Sequence, residues 1–386
     1  MKILRVEYQH ISLFNDGLVV DFTASNKVVD KSQVYDVSKT LYLQKVIAFA
    51  GINATGKTTV LRLVDFAMNL LSDNNYLDKV LMKYGLFKDN TKIIIDFIEN
   101  DCMYRLESTI GIQEQNKENA LKPTKAYYYK EEKIYKKKIA SVTIKKNLFM
   151  WKEEPEYKRS TLLPENLKML KNNQSIIVLI TKDKTIVHYS CVDLVNINML
   201  FTQQKFNKDI YNLFDNSIEN IKYLDDTNFE ITYKNSDEIH QSYDNEDQFR
   251  FLSSGTIRGP LLLNIISIIL QTGGCVIIDE IEIHLNKALV ELIISLFKDT
   301  RTNPKGALLI FSTHYVEILD SMERKDNIYI TRKDKDFNLS ITKFSDKIKR
   351  NDVKKSDILL SNSFENTAPQ YALIQKVKEV LCKNIK

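Results

Sequence analysis

A chain of 386 residues, 44% hydrophobic and 27% charged, has ample material for a core and, as a prior, for two domains or one domain with a large insertion. Its 10 glycines and 6 prolines are few, glycine usually running at roughly 7%, which excludes collagen-like, low-complexity and linker-rich architectures. The net charge of +5 is too mild to declare a nucleic-acid binder, although residues 121–158 concentrate eleven lysines against five glutamates.

In chain order, residues 3–23 alternate as two short strands, KILRVEYQHI and LVVDFT, turning near Asn15-Asp16-Gly17. A strand over Lys45–Ala50 runs into GINATGKTT, and Thr58–Leu71 then has helical spacing. Lys92–Ile98, Cys102–Ile110 and Ala126–Tyr135 read as a β meander. Residues 160–225 read as more helical, without a sustained heptad, which argues against a coiled-coil arm. Strands resume at Phe229–Tyr233. LSSGT, a helix, CVIIDE, a second helix (Lys287–Phe297) and the strand Ala307–Phe311 before STH follow, and this alternation implies a parallel sheet with crossovers. The tail beyond Lys343 is lysine-rich and partly helical.

The four cysteines, Cys102, Cys191, Cys275 and Cys382, are far apart and form no CxxC pair, which fits a reducing cytoplasm and neither a disulfide framework nor a zinc site. MKILRVEYQH lacks the apolar run of a signal peptide. The stretch Leu261–Leu270 is too short for a bilayer and reads as a buried helix, so no membrane partner is expected.

Gly51-Ile52-Asn53-Ala54-Thr55-Gly56-Lys57-Thr58, followed by Thr59, matches GxxxxGK[ST] between a strand and a helix. Glycines let backbone N–H groups curl round phosphates without a Cβ in the way, and the helix turns its positive end to the anion. Lys57 suits the β/γ-phosphates of ATP, and the Thr58 hydroxyl suits Mg²⁺. The apolar run Cys275–Ile278 ends in Asp279 and Glu280, where a buried strand meets the ligand crevice. Asp279 is the second Mg²⁺ candidate, and Glu280 the base that orients and deprotonates an attacking water. His314 follows the next apolar strand, within reach of the γ-phosphate and Glu280. His284 lies just after the carboxylates and suits a subunit interface, whereas His10, His188 and His240 have no constellation.

Ser253, Ser254 and Gly255 of LSSGT precede a helix expected to begin near Arg258–Pro260, where proline suits a first turn. Alone this is an N-cap signal. The order P-loop, LSxG, hhhhDE, STH, however, resembles ABC-type ATPases. GINATGKTT, LSSGT, GGCVIIDEIEIHLN, LLIFSTH and the opening KILRVEYQHISLF are most similar to ABC-like ATPases related to SMC, RecF and OLD proteins, and among them to bacterial abortive-infection ATPases of the AbiL, RloA and AriA kind. ILLSNSFENTAP extends the likeness. LSSGT replaces the transporter-type LSGGQ, HLN replaces the usual His-Pro turn, and neither Gln113 nor Gln115 is placed as the Q-loop glutamine.

The resemblance implies an α/β fold: an ABC-type P-loop NTPase head with a mixed sheet, an antiparallel β subdomain and an inserted, mainly helical lobe. It divides the chain into 1–150 (P-loop half of the head), 151–227 (helical insertion), 228–345 (LSSGT, DE and histidine half) and 346–386 (tail). It also implies ATP and Mg²⁺ as ligands and a head-to-tail homodimer or higher oligomer, with Ser253, Ser254 and Gly255 completing the other subunit's site. The implied role is an anti-phage ATPase switch acting on an effector such as a nuclease. A RecF/SMC-like DNA-binding ATPase is the alternative, with DNA or RNA met through residues 121–158 and their aromatic residues. For that segment the plainer reading is a solvated β edge protected by lysine. A transporter nucleotide-binding subunit fits less well, because Gly51 and Gly255 are separated by room for an inserted lobe.

Overall fold

The computed structural model describes residues 1–25, 27–72, 76–77, 85–115, 124–142, 145–152, 154–162, 170–181, 186–192, 208–224, 228–236, 238–242, 252–283, 285–350, 353–361, 363–364 and 371–384. The chain opens with β1 (Lys2–Ile11), β2 (Leu18–Asp21), the short pair β3 (Val34–Asp36) and β4 (Tyr42–Gln44), then β5 (Val46–Ala50) leading into α1 (Lys57–Leu70). The meander follows as β6 (Phe87–Glu99), β7 (Cys102–Gln115) and β8 (Thr124–Lys138). Next come β9 (Tyr157–Lys158), α2 (Val178–Thr181), β10 (His188–Ser190), α3 (Lys208–Phe214), β11 (Ile218–Tyr223), β12 (Phe229–Tyr233) and β13 (Ile239–Ser242). The remainder is α4 (Ser254–Thr272), β14 (Cys275–Ile278), α5 (Lys287–Lys298), β15 (Leu308–Thr313), β16 (Ile328–Lys333), β17 (Leu339–Lys343), α6 (Phe344–Lys347), α7 (Lys355–Leu360) and α8 (Tyr371–Asn384).

The central sheet has the order β10-β14-β15-β5-β16-β17 and is parallel except for the β16–β17 hairpin. Both of its faces are covered, which is why its strands read as unbroken apolar runs. In β5, Ile47 and Phe49 face one core while Val46, Ala48 and Ala50 face the other. The first core lies between this sheet and an antiparallel sheet, β2-β1-β6-β7-β8-β9, with α1 packed inside it. The second joins the opposite face to α4, α5 and the tail residues Ile358, Leu359 and Phe364. The mixed α/β head with its antiparallel subdomain is therefore the architecture that forms.

Two expectations change. The span 151–227, expected to be mainly helical, supplies three strands and two short helices among its described residues. One of these strands, β10, hydrogen-bonds to β14 and widens the central sheet, and β9 extends the antiparallel one. The segment between them is pulled onto the sheet by Glu132, whose buried carboxylate accepts from Arg159 (2.7 Å), Ser175 (2.6 Å) and the Ile176 N–H (3.0 Å). Second, α4 starts at Ser254, because the Ser253 hydroxyl caps it by accepting the Thr256 N–H at 3.1 Å. Pro260 consequently stands inside the helix, not in its first turn.

Leu261–Leu270 falls within α4, and its inward side packs against the central sheet. Gly255–Thr272 is the one helix among the described residues long and apolar enough to cross a membrane, and 56% of that window is buried in the fold. The start of α4 belongs instead to a small separate core, where Leu252 and Ile257 pack with Tyr211, Ile218, Phe229 and Ile231 from α3 and the β11-β12-β13 sheet. His284, Asn362 and residues 365–369 of ILLSNSFENTAP lie outside the described residues.

Candidate functional site

Strand β15 runs between β14 and β5, so the carboxyl ends of all three open on the same side. The loop after β5 turns into α1 at Gly56, whose φ of 89° is left-handed and closed to most side chains. A Cβ at Gly51 would collide with the side chain and carbonyl of Thr331 on β16, so the loop is pressed against the sheet at one end and free to wrap a ligand at the other. This is the cradle a phosphate requires.

Lys57 is 5% exposed, and its ammonium donates to Gly51 O (2.9 Å), Ile52 O (3.0 Å) and His314 Nδ1 (3.2 Å). Three protons meet three acceptors. Burial holds its pKa below the ordinary lysine value, opposed by the charges of Glu280, Asp279 and Glu282. Because an ammonium has only protons to offer, His314 Nδ1 is the acceptor and Nε2 carries the ring proton, which points to Glu280 Oε1 at 2.9 Å. Lys57, His314 and Glu280 are thus joined in one chain of hydrogen bonds.

A second chain lies beside it. The Thr58 hydroxyl donates to Asp279 Oδ2 at 2.7 Å. The Ser312 hydroxyl donates to Asp279 Oδ1 and accepts the Glu280 N–H at 2.7 Å. Glu280 itself has φ of 49°, a left-handed backbone rare for such a residue and of the kind that collects at functional sites. One hydroxyl and one carboxylate are hard oxygen donors, and Mg²⁺ takes one or two such protein groups together with substrate phosphates and water. Among the described residues, no group of three His, Cys, Asp or Glu forms a self-sufficient metal cage. The donor set therefore fits Mg²⁺ held jointly with a phosphate ligand.

A cleft of about 310 Å³ opens over these groups, lined by Asn53, Ala54, Gly56, Lys57, Thr58, Thr59, Glu280 and His314 on its polar side. Thr55 lies behind the loop, its hydroxyl on Ile52 O (2.8 Å) and Thr331 Oγ1 (2.7 Å), so it holds the loop's shape and does not face the cleft. Ser253, Ser254 and Gly255 stand at the start of α4, between Leu252 and Ile257 of the small core, and are not among the residues that line this cleft.

Several residues escaped the sequence reading. Ser312 ties the Asp279 carboxylate to the Glu280 backbone, and Glu282 holds the histidine by accepting the His314 N–H at 2.6 Å. Glu282 Oε2 is buried without a hydrogen-bond partner. Asn286, noted only as part of HLN, caps α5 by accepting the Leu289 N–H at 3.0 Å. Leu13, Lys333, Phe337 and Leu339 complete the cleft's lining. The tandem acids of DEIE were a visible cue to Glu282. No local pattern marks the other four lining residues.

Part of the lysine-rich segment is committed to the fold, while Lys125, Lys136, Lys138, Lys146 and Lys152 remain exposed. The Lys137 ammonium donates to Leu148 O (2.6 Å) and Met150 O (2.8 Å) and lies 4.4 Å from the Trp151 ring centre. Lys130 pairs with Asp89 at 2.7 Å, while Lys133 and Lys158 approach Glu131 at 3.6 and 3.4 Å. Tyr127 and Tyr129 are buried, and Phe149 and Trp151 stack on Arg5 and Arg105. These rings are not a free platform for bases. Lys122 lies outside the described residues.

Residues 186–320 match a protein family described as an AAA domain, putative AbiEii toxin, Type IV TA system. The matched stretch takes in LSSGT, Asp279, Glu280, Ser312 and His314 and stops short of the P-loop, so over these residues the chain is similar to AAA-type ATPase domains. Among solved structures, the SMC head domain from Thermotoga maritima aligns over 89% of this chain and 99% of its own length, at 11% identity and a TM-score of 0.41. No curated protein matches the sequence.

Proposed function

We propose that this chain is an ATP-binding and ATP-hydrolysing switch of a bacterial anti-phage (abortive infection) system, working in the cytoplasm as a head-to-tail dimer that controls a partner effector such as a nuclease. The observation that carries the ATPase reading is the meeting of the Lys57–His314–Glu280 and Thr58–Asp279–Ser312 chains in one cleft at the end of a parallel sheet. In this reading Lys57 exchanges the loop carbonyls for β/γ-phosphate oxygens, and the loop's N–H groups and the α1 N-terminus take the remaining charge. Thr58 and Asp279 would hold Mg²⁺, which when bound neutralises phosphate charge. Glu280 accepts the proton of the attacking water, and His314 keeps that carboxylate oriented.

The dimer reading is supported by LSSGT. It heads a helix of 19 residues, whose positive end suits an anion, and it is not part of its own cleft's lining. The defence role is supported by the resemblance of the motif set and by the description of the family matched over 186–320. The inward engagement of Lys137, Tyr127 and Tyr129 favours this reading over a RecF/SMC-like DNA-binding ATPase.

Glu280→Gln is expected to bind ATP, lower turnover by about 10²–10⁴-fold and accumulate as a closed dimer. Lys57→Ala is expected to lose ATP binding. Phosphate release and light scattering measure both, and undiminished hydrolysis by Glu280→Gln would remove the base from the scheme.

A further inference from the structure

The cleft is lined by groups of unlike chemistry. Besides the polar Lys57, Thr58, Glu280 and His314, its lining includes Leu13, Phe337 and Leu339, the last packed against Gly56 of the loop, with the Lys333 ammonium 5.0 Å from the Phe337 ring centre. Leu13 comes from the turn after β1 and Leu339 from the start of β17, and the Leu339 N–H donates to Leu13 O at 2.7 Å, so the two walls are joined.

Phe337 is 70% exposed and Leu13 48%, although each is a large apolar side chain. Both also have left-handed backbones, with φ of 65° and 72°. A hairpin tip normally relieves such geometry with glycine or asparagine. Here a phenyl ring occupies it, and the turn is fastened around that ring. The Asp334 carboxylate accepts the N–H groups of Asp336 (2.9 Å) and Asn338 (2.8 Å) and the Asn338 side-chain amide (3.0 Å). The Phe337 N–H closes the turn on Asp334 O at 3.2 Å. Two strained, exposed apolar residues from opposite ends of the chain therefore face one phosphate-binding cleft.

We propose that Phe337, with Leu13 and Leu339 at its edges, is the base subsite of that cleft. The ligand class is purine nucleoside triphosphates, whose base lies flat on the Phe337 ring while the phosphates reach Lys57. Stacking engages the face common to all purines, so adenine and guanine are held alike, and with the Lys333 ammonium over one face of the ring the base takes the other. This rests on the reading of the P-loop as a nucleotide site and adds to it which part of the ligand is gripped at the other end.

The test is calorimetric titration, with Mg²⁺, of ATP, GTP and inorganic tripolyphosphate into the full chain. Phe337→Gly removes the ring and at the same time suits the left-handed turn, so the hairpin keeps its shape. Phe337→Tyr keeps a ring as the conservative control. Phe337→Gly is expected to weaken ATP and GTP by similar factors, about 5- to 100-fold for one base–aromatic stack, with tripolyphosphate unchanged and Phe337→Tyr close to wild type. Unchanged ATP and GTP affinity in Phe337→Gly would overturn the proposal, as would an equal loss for tripolyphosphate. Lys57→Ala separates the two readings. If it still binds all three ligands, the phosphate assignment fails, while a loss confined to ATP and GTP in Phe337→Gly still assigns the ring to the base.

Discussion

Ser312→Ala tests how the site is held without touching any group assigned to nucleotide. The Ser312 side chain is fully buried, and its hydroxyl serves two masters, donating to Asp279 and accepting the Glu280 N–H at 2.7 Å. Removing it deletes a hydrogen bond to a carboxylate, worth about 1.5–3 kcal/mol, and leaves a half-buried N–H to find water, costing at most about 1 kcal/mol more. The expected loss of folding stability is therefore about 2–4 kcal/mol. Glu280 also loses the bond that fixes its left-handed backbone, so its carboxylate should spend less time in register with His314. If half of the energetic loss is felt at the transition state, turnover falls about 5- to 30-fold. Urea unfolding gives the first quantity and steady-state phosphate release at saturating ATP the second. A variant as stable as wild type, or one that is destabilised yet hydrolyses at the full rate, refutes the idea that Ser312 on β15 fixes the two carboxylates that follow β14 as one unit.

Glu282→Ala removes the acceptor of the His314 N–H and is expected to reduce kcat by about tenfold or more with little change in KM, while Glu282→Gln, whose amide oxygen still accepts, restores most of it. A parallel loss in both variants would point to charge instead of positioning. Arg159→Met strands the buried Glu132 carboxylate and should cost about 3–5 kcal/mol near pH 7. Burial already raises the Glu132 pKa, so the folded state binds its proton more readily than the unfolded chain does. As pH falls through that raised pKa, the acid becomes neutral and the Arg159→Met penalty should shrink, and a penalty independent of pH in urea titrations would contradict this. Finally, iodoacetamide at neutral pH should label the exposed Cys382 first and the half-buried Cys102 slowly. Burial pushes the Cys191 thiol up to about 12 and Cys275 higher still, so peptide mass spectrometry should find both unlabelled until the chain is unfolded.

What was legible in the sequence is what a single strand end or loop can encode. GINATGKTT, Asp279-Glu280 and His314 each follow an apolar run whose carboxyl end opens on the cleft, so their convergence follows from a parallel sheet. Ser312 was hidden because its importance depends on β15 lying beside β14, which no local pattern states. The apolar part of the cleft's lining was hidden for the same reason in stronger form: Leu13 and Phe337 are more than 300 residues apart and look like unremarkable surface positions. The lysines of 121–158 are a case where only part of the arrangement is visible in sequence. Charge density is visible in sequence, but the carbonyls of Leu148 and Met150 that absorb Lys137 are supplied by the segment folding back over β8. The start of α4 differs from the expectation because a proline invites a first-turn assignment, whereas Ser253 caps the helix five residues before Arg258.

Helix α4 belongs to two cores at once. Its first turn is locked into the small sheet's core through Leu252 and Ile257, and from Leu261 onward it packs behind β14. At 1.5 Å per residue its 19 residues make a rod of about 28 Å, and Pro260, which gives up one backbone hydrogen bond, marks the junction between the two arms. The small sheet is thus a module mounted on a lever. Its residues can change in sequence without altering a residue of the cleft, while the rod itself packs behind β14, the strand that leads into Asp279. Such a division leaves the chemistry fixed and makes the attachment surface the part that is free to evolve.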